Sequence, residues 1–317
     1  MQSQNDVARN QMLLRFSHAM LTALVTLCLL FPSFCASALA VEMESMGSTL
    51  TAFGMEIGQS ETHLRITSKV RDVDALCDLL DWMPNLTQVD VYESFFKRAE
   101  MAMLSERYPH IRFGWTLQIG DHLVRTDAEA FSTLHRSSSK VHRSADFELL
   151  KYCWQLEALD IGHNAVHDLS FLQYLPNLKV LILACNSISD IEMLRHLPKL
   201  EYLELFDNTI SDISPLADLT NLIDLNICFN RLPTADAYEP LKGLKSLRRL
   251  WLFNSNVYGV QNPIPEEVTA ALREALPDCH INTTSYSTAG GWRENPRYTT
   301  IAQIFKINQY LPFTYFK

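Results

Sequence analysis

The stretch "LEYLELFDNTI", from Leu200 to Ile210, is one copy of a pattern that recurs along the chain. Its form is L-x-x-L-x-L/I-x-x-N-x-I/V/L, and further copies begin at Leu156, Leu178 and Leu222, which gives a period of 22 residues. A fifth copy, "LRRLWLFNSNV", follows a longer connector and has serine where the others have asparagine. A fixed period over several copies indicates an architecture in which each copy stacks on its neighbours.

The positions within each copy predict a strand, a turn and a short return. In L-x-L the two aliphatic side chains point to one side of a strand, so stacked copies bury them as a continuous core. Leu203→Ala and Leu205→Ala are therefore expected to destabilise the fold far more than Glu204→Ala. The aliphatic spacing of three in "ISDISPLADLTNL" predicts a helical or 3-10 return. An asparagine amide can satisfy backbone groups at each turn, at Asn164, Asn186, Asn208 and Asn230.

This repeat resembles the leucine-rich repeat family, specifically the 22-residue type of internalin-like bacterial proteins. The resemblance implies an α/β solenoid with a parallel strand ladder on its concave face and short helical or 3-10 segments on its convex face. The flanking stretches "FGWTLQIGDH", "FSTLH" and "GGWRENPRY" look like those of secreted bacterial leucine-rich-repeat proteins, most of which have no assigned activity. The resemblance supports fold and export, and it names no partner.

Four regions are expected along the chain. They are a signal peptide at 1–40, an N-terminal flank at 41–155 with irregular rungs and a hairpin near 113–125, regular repeats at 156–258, and a C-terminal cap and tail at 259–317. The flank should contain strands at "LRI", "LTQVDV" and "IRFGW", with helices between them, and Gly120-Asp121 should form a hairpin turn. "PIPEEVTAALREALPDCHI" predicts a capping helix and strand, and "TIAQIFKINQYL" predicts a short helix.

The N-terminal region has the features of a cleaved signal peptide. Arg9 and Arg15 precede an apolar run, and "ASALA" offers a small-x-small cleavage site that ends at Ala40. The apolar run is short for a membrane span. Neither Cys28 nor Cys35 follows a small residue, which makes a lipoprotein the weaker interpretation. We therefore expect a secreted or cell-envelope protein with no integral membrane segment after signal cleavage.

Charge and cysteine content limit the classes of partner. The formal net charge of −9 argues against a general nucleic-acid surface, since such surfaces are basic, and leaves basic or neutral partners open. Five cysteines lie beyond the signal peptide, and their odd number and scattered spacing predict neither a full disulfide framework nor a CxxC zinc site. Alignment on the repeat places Cys77 and Cys153 at buried apolar positions. Cys185 and Cys228 lie two rungs apart, which is too far for a bridge between them.

The residues between the aliphatic positions predict a binding surface. They should point out of the concave face, and the aromatic ones are concentrated in the last three copies. A contiguous exposed apolar patch marks an interaction site, and acidic neighbours could orient a basic partner. The alternative is that the C-terminal cap or tail covers this patch and makes it core. The predicted binding residues are Tyr202, Glu204, Phe206, Asp207, Asp224, Phe229, Arg249, Trp251 and Phe253.

We interpret the chain as a non-enzymatic recognition protein that binds a protein or peptide through this face. The alternative is an adhesive cell-envelope component that binds surface glycan, because aromatic rings flanked by carboxylates can also stack on sugars. An enzyme ranks third. His163, Cys185 and Asp207 share one repeat position on consecutive rungs, but a triad needs the histidine in the middle. We therefore expect no catalytic residues.

No metal site or cofactor is expected from the sequence either. The chain lacks a Gly-rich phosphate loop and the HExxH and GxSxG signatures. His135 and His142, in "HRSSSKVHRS", are expected to be solvated histidines of a polar loop rather than ligands.

Overall fold

The structure is a computed structural model, and it describes residues 49–133, 141–253, 264–284 and 291–312. The predicted signal peptide and His135 lie outside these described residues. The chain divides into two compact units, with the boundary between Thr116 and Leu117.

The first unit contains a parallel sheet of the kind expected for irregular rungs. A hairpin of β1 (Thr49–Ala52) and β2 (Met55–Gly58) precedes the sheet, which has the order β3, β4, β5. These strands are His63–Arg65, Gln88–Asp90 and Arg112–Gly114. Two helices connect them, α1 (Val73–Trp82) and α2 (Arg98–Arg107). Their predicted positions are confirmed, and Cys77 is buried on α1 as the repeat alignment predicts.

The second unit contains a seven-stranded ladder. The strands that come from the repeats run parallel to their neighbours. The strand order is β14-β13-β12-β11-β10-β9-β8. The strands are β8 (Ala130–Ser132), β9 (Ala158–Asp160), β10 (Val180–Ile182), β11 (Tyr202–Glu204), β12 (Asp224–Asn226), β13 (Arg249–Trp251) and β14 (His280–Asn282). The register pairs Leu181 with Leu203 and Leu203 with Leu225, all of which are fully buried. The predicted leucine-rich-repeat fold is therefore confirmed.

Short helices return the chain from each strand to the next. Most of them are 3-10 helices: η1 (Glu148–Tyr152), η2 (Ser170–Tyr174), η3 (Glu192–His196), η4 (Ser214–Asp218) and η5 (Ala235–Gly243). One turn of α-helix, α3 (Ser144–Phe147), precedes η1. An aspartate carboxylate accepts from the backbone N–H two residues later at the start of three returns. These residues are Asp168, Asp190 and Asp212. Helix α4 (Glu266–Ala275) leads into β14, as predicted for the cap.

The repeated asparagine connects adjacent rungs. The Asn208 amide donates to the carbonyls of Leu183 and Leu205, and its Oδ1 accepts from the N–H of Ile188. Asn186 and Asn230 repeat this arrangement one rung away on either side. The asparagines therefore replace the hydrogen bonds that the backbone gives up where it turns out of the sheet, as predicted.

The residue before each asparagine adopts a left-handed conformation. His163, Cys185, Asp207 and Phe229 have φ between 54 and 56°. Such angles cost a non-glycine residue free energy, and the repeated hydrogen bonds of the following asparagine hold the turn in this form. The four side chains consequently lie in one row where the strands end, which we call the turn row.

Strands β6 (Thr116–Ile119) and β7 (His122–Arg125) form the predicted hairpin around Gly120-Asp121. Gly120 has φ +59°, and a Cβ there would lie 2.1 Å from the His142 ring. Only glycine therefore permits both the turn and the close approach of this ring.

The C-terminal segment, residues 291–312, contains the predicted helix, α5 (Pro296–Ile307). Asn295 caps its first turn by accepting from the N–H of Arg297. Ile301, Ile304 and Phe305 lie on its buried side. They pack, together with Trp292, against residues of the strand ladder such as Val180 and Tyr202.

Candidate functional site

The side of the ladder that carries the predicted binding residues is largely covered. We call this side the ladder face. Five of the nine predicted residues are no more than 8% exposed: Tyr202, Glu204, Asp224, Arg249 and Trp251. The remaining four, Phe206, Asp207, Phe229 and Phe253, are half-buried. The expectation that all nine lie open to solvent is wrong, because Trp292 and α5 pack against this face and form a second core there.

Glu204 is the centre of a buried polar cluster. Its carboxylate accepts hydrogen bonds from the Tyr202 hydroxyl, from Nε1 of Trp292 at 2.9 Å and from the guanidinium of Arg293 at 2.8 Å. The Trp292 ring also packs against the rings of Tyr202 and Trp251, with centroids 5.5 and 5.7 Å away. Glu204 therefore binds the C-terminal segment rather than solvent, and it is not the surface residue that the repeat position suggests.

A second buried carboxylate, Asp224, lies on the next rung and binds two arginines. Arg297 donates to it at 2.6 Å, and Arg249 lies 3.5 Å from the same oxygen. Burial raises the pKa of Asp224 to about 6, although both guanidinium groups act in the opposite direction. Arg249 also donates to the backbone carbonyl of Trp292 at 2.7 Å and stacks on its ring. The residue predicted to orient a partner thus orients the protein's own C-terminal segment.

Asp160, on β9, completes the buried acidic groups of the ladder face. It is 1% exposed and accepts from the N–H of Gly162 and from the Ser132 hydroxyl. The pKa of Asp160 is raised to about 7, chiefly by burial and also by the nearby Glu204 carboxylate, whereas the hydrogen bond from Gly162 and the charge of Arg293 act in the opposite direction. This carboxyl group therefore titrates close to neutral pH.

Sequence reasoning missed the residues that complete these clusters, Trp292, Arg293 and Arg297. They belong to "GGWRENPRY", a stretch that flanks the repeats on the C-terminal side. No repeat register extends to this stretch, so no sequence position places it opposite a particular strand. One feature of the sequence did point to a cover over the ladder face. Acidic and aromatic residues accumulate at the ladder positions, and their burial requires basic and aromatic residues from another part of the chain.

The predicted phenylalanines form a continuous row at the edge of the covered region. The centroids of the Phe206 and Phe229 rings are 5.2 Å apart, and those of Phe229 and Phe253 are 5.7 Å apart, in edge-to-face arrangements. We call these three residues the phenylalanine row. Because all three rings are half-buried, they present apolar area beside the covered centre of the ladder face.

The possible catalytic residues of the turn row have unfavourable chemistry for a nucleophile. The pKa of the Cys185 thiol is raised to about 12, chiefly by burial and also by the Asp207 carboxylate. A nucleophilic cysteine needs a lowered pKa, so this thiol is in its unreactive, protonated form at neutral pH. Among the described residues, none of the five cysteines beyond the predicted signal peptide forms a disulfide, and this includes Cys185 and Cys228.

A groove of about 980 Å³ lies at the opposite edge of the ladder, before the strands begin. Its lining includes Lys179, Lys199, Lys245, Arg248 and Glu201, with the first residues of α5 on one side. The lysines already have partners, since Lys179 pairs with Glu157, Lys199 donates to Asn177, and Lys245 donates to the carbonyl of Ala275. The lysine side chains of this groove are therefore mostly paired with groups of the protein itself.

His142 lies in a different environment from the one expected. It is 4% exposed, and its ring packs edge-to-face against those of His122 and Phe147. The expectation of a solvated loop histidine is wrong because the β6–β7 turn folds over this ring. Asp121, His122 and His142 form the one cluster of potential metal ligands found among the described residues.

Comparisons with known proteins identify the repeats. Residues 154–210 match the model of the leucine rich repeat family. A comparison with curated proteins gives no significant match. Among solved structures the chain is similar to the internalin inlF from Listeria monocytogenes, with 21% identity and a TM-score of 0.38 over 72% of this chain and 56% of inlF. It is also similar to internalin C2 of the same organism, with 18% identity and a TM-score of 0.36 over 74% of this chain and 87% of that one. For InlJ, also from Listeria monocytogenes, the identity is 18% and the TM-score is 0.33, over 61% of this chain and 44% of that one. The chain thus spans little more than half of inlF.

Proposed function

We propose that this chain, whose residues 154–210 are leucine-rich repeats, is an exported, non-enzymatic recognition protein that binds a protein or peptide partner. The repeat fold supports a role in protein interaction in general, because it holds a row of side chains on a rigid strand ladder. The binding surface is the phenylalanine row, Phe206, Phe229 and Phe253, together with the neighbouring Asp207. The observation that carries this proposal is the edge-to-face contact of three half-buried rings on successive rungs.

The centre of the ladder face is excluded from direct binding because the C-terminal segment occupies it. Glu204 and Asp224 already bind Arg293 and Arg297, and Trp251 packs against Trp292. A partner would have to displace this segment to reach them. Phe206 and Phe229 need no such displacement, since part of each ring is accessible. Binding at the edge of the ladder face therefore costs less free energy than binding at its centre.

Charge favours a basic segment in the partner. The net charge of −9 attracts cationic partners over a distance, and half-buried Asp207 lies beside Phe206 and before the turn that leads to Phe229 on the next rung. A peptide with apolar side chains next to a lysine or arginine would satisfy both parts of this surface.

Two further observations support an exported binding protein. The N-terminal 40 residues have the composition of a signal peptide, with basic residues before a short apolar run. The raised pKa of Cys185 supports the assignment to non-enzymatic proteins.

The proposal is tested by screening the immobilised protein against defined exported proteins, basic peptides and purified surface polysaccharides. For a protein or peptide that binds, Phe229→Ala should weaken the affinity by about 30-fold, the equivalent of roughly 2 kcal/mol for an anchoring residue. Tyr174→Ala is the matched control, because Tyr174 is an aromatic residue of η2 that is 53% exposed. Equal effects of the two variants would exclude the phenylalanine row as the site.

The polysaccharide arm of the screen separates the alternative function. Binding to surface glycan without binding to any protein or peptide would favour an adhesive cell-envelope component. Melting temperatures of both variants are measured in parallel, since a Phe229→Ala protein that no longer folds would report on packing rather than recognition. In that case Asp207→Lys, which changes charge at a half-buried position, provides the second test of a basic partner.

A further inference from the structure

The turn of the β6–β7 hairpin brings three potential ligands together. Asp121 and His122 are consecutive residues at this turn, and His142 comes from the segment just before α3. One oxygen or nitrogen atom of each side chain lies within 4.8 Å of the corresponding atoms of the other two. No part of the proposed recognition surface is involved, because these residues precede the regular repeats.

The distances fit a tetrahedral metal site. Oδ1 of Asp121 lies 3.4 Å from Nε2 of His122 and 3.4 Å from Nε2 of His142. Zinc binds imidazole nitrogen and carboxylate oxygen at about 2.0–2.1 Å, and tetrahedral angles then separate neighbouring ligand atoms by about 3.4 Å. A hydrogen bond to either ring nitrogen would be several tenths of an ångström shorter. The ligand atoms are therefore spaced for a shared cation rather than for direct hydrogen bonds to one another.

The surroundings favour a borderline transition metal over calcium or magnesium. The two imidazoles are 1% and 4% exposed, and two nitrogen ligands with one carboxylate suit zinc, whereas the hard cations prefer sets made only of oxygen. Asp121 is partly exposed, so the side of the cluster that it occupies is accessible to solvent. Water can supply a fourth ligand from that side.

Local packing holds the histidines before any metal binds. The His122 ring lies edge-to-face against Phe131, and the His142 ring lies edge-to-face against Phe147. The backbone of His142 is fixed at both ends, because its N–H donates to Oδ1 of Asn164 and its carbonyl accepts from the N–H of Ala165. Among the described residues, Nε2 of His142 has no hydrogen-bond partner. A preorganised site loses little side-chain freedom on binding.

We propose that Asp121, His122 and His142 bind one Zn²⁺ ion, which links the β6–β7 hairpin to the segment that precedes α3. The ligands come from two stretches of the chain that are separated in sequence, so the metal cross-links them. Because the ion binds the folded arrangement, it raises the stability of the second unit, and this gain grows with the logarithm of the free metal concentration once that concentration exceeds the dissociation constant. The link falls at the β8 end of the ladder, before the first copy of the repeat.

The experiment uses the full mature chain after treatment with a chelator and removal of the chelator. Zn²⁺ is titrated while heat is measured, and the melting temperature is recorded with and without the metal. We expect one Zn²⁺ per chain and a higher melting temperature.

Two variants distinguish this site from adventitious binding to the ten histidines of the chain. Asp121→Ala removes a ligand from a partly exposed position and should lower the Zn²⁺ affinity by more than about 100-fold, since even residues that only support a ligand contribute about 10–100-fold. His196→Gln, at an exposed position of η3, should leave the affinity unchanged. Unaltered Zn²⁺ uptake by Asp121→Ala, or no uptake by the unmodified chain, would overturn the proposal.

Cobalt provides a readout that does not depend on stability. Co²⁺ bound by two imidazoles, a carboxylate and water should give the visible absorption of a four-coordinate ion, and Zn²⁺ should abolish it by displacement. An Asp121→Ala protein that retains this absorption would show that the cobalt lies elsewhere. Absence of the absorption in the unmodified chain would leave the two histidines as packed aromatic side chains only.

Discussion

Asn208 shows how a single side chain can hold two turns of the repeat. Its amide group satisfies the carbonyls of Leu183 and Leu205 and the N–H of Ile188, and all three of these groups belong to the buried backbone. The same residue type was predictable at this place because the turn leaves the same groups unpaired in every copy. A requirement that recurs with the repeat can be recognised from sequence even when each copy alone is ambiguous.

We expect Asn208→Ala to lower the free energy of unfolding by about 3 kcal/mol or more, because buried backbone groups left without partners cost about 1–3 kcal/mol each. Urea denaturation followed by circular dichroism measures this change. The matched control is Asn221→Ala, since Asn221 is exposed and donates to a single carbonyl, that of Pro198. An Asn208→Ala variant as stable as Asn221→Ala would contradict the role of the asparagine.

The residues whose burial could not be predicted from sequence are those whose partners lie far away in the chain. Leu203 could be placed inside the fold because the alternation of its own strand determines its side. Glu204 occupies the opposite side, and its burial depends on Arg293 and Trp292, which are 89 and 88 residues away. No local pattern encodes such a contact, so the predicted surface became a core.

At the scale of elements, the C-terminal segment is the part whose position could not be predicted. The helix itself was predictable from "TIAQIFKINQYL", because apolar residues such as Ile301, Ile304 and Phe305 follow helical spacing. The helix lies against β8 and β9, and ion pairs of Glu204 and Asp224 with Arg293 and Arg297 hold the start of the segment on β11 and β12. The alternative that the tail covers the aromatic patch is therefore the correct one for the centre of the ladder face.

The docking of this segment predicts a large effect for Glu204→Ala, in contrast to the small effect expected from sequence. Removing the carboxylate leaves Arg293 and the indole of Trp292 without their acceptor, and breaking a buried ion pair costs about 3 kcal/mol or more. The measurement is again the free energy of unfolding, from urea denaturation followed by circular dichroism.

Glu192→Ala is the control for this comparison, because the exposed pair of Glu192 with Arg195 should contribute no more than about 1 kcal/mol. If Glu204→Ala were as mild as Glu192→Ala, the C-terminal segment would not be held by the carboxylate, and the ladder face would be open in solution.

For the molecule as a whole, the buried carboxyl groups predict an unusual response to pH. The folded state raises the pKa of Asp160 to about 7, well above the ordinary value of about 3.9 in an unfolded chain. Between these two values the folded state binds the proton and the unfolded state does not. The stabilisation from Asp160 is therefore fully present below about pH 4 and is lost as the pH rises through about 7.

Asp160→Asn, which resembles the protonated form, isolates this contribution. We expect the variant to melt at a higher temperature than the unmodified protein at pH 8 and at nearly the same temperature at pH 4.5. The comparison of the two proteins at each pH removes the effect of the other acidic groups, including Asp224, whose pKa is raised in the same sense. A difference in melting temperature that does not change with pH would mean that Asp160 titrates normally.

The covered ladder face also limits how the protein can be shortened. A fragment cut after the last repeat would lose Trp292 and α5, so the rings of Tyr202 and Trp251 would meet water while Glu204 and Asp224 would lose the arginines that neutralise them. Such a fragment would expose apolar aromatic rings next to negative charges that lack counter-ions. It would therefore differ from the intact protein in solubility as well as in binding. The repeats are therefore not a detachable module. A scaffold built from these repeats must therefore include the C-terminal segment.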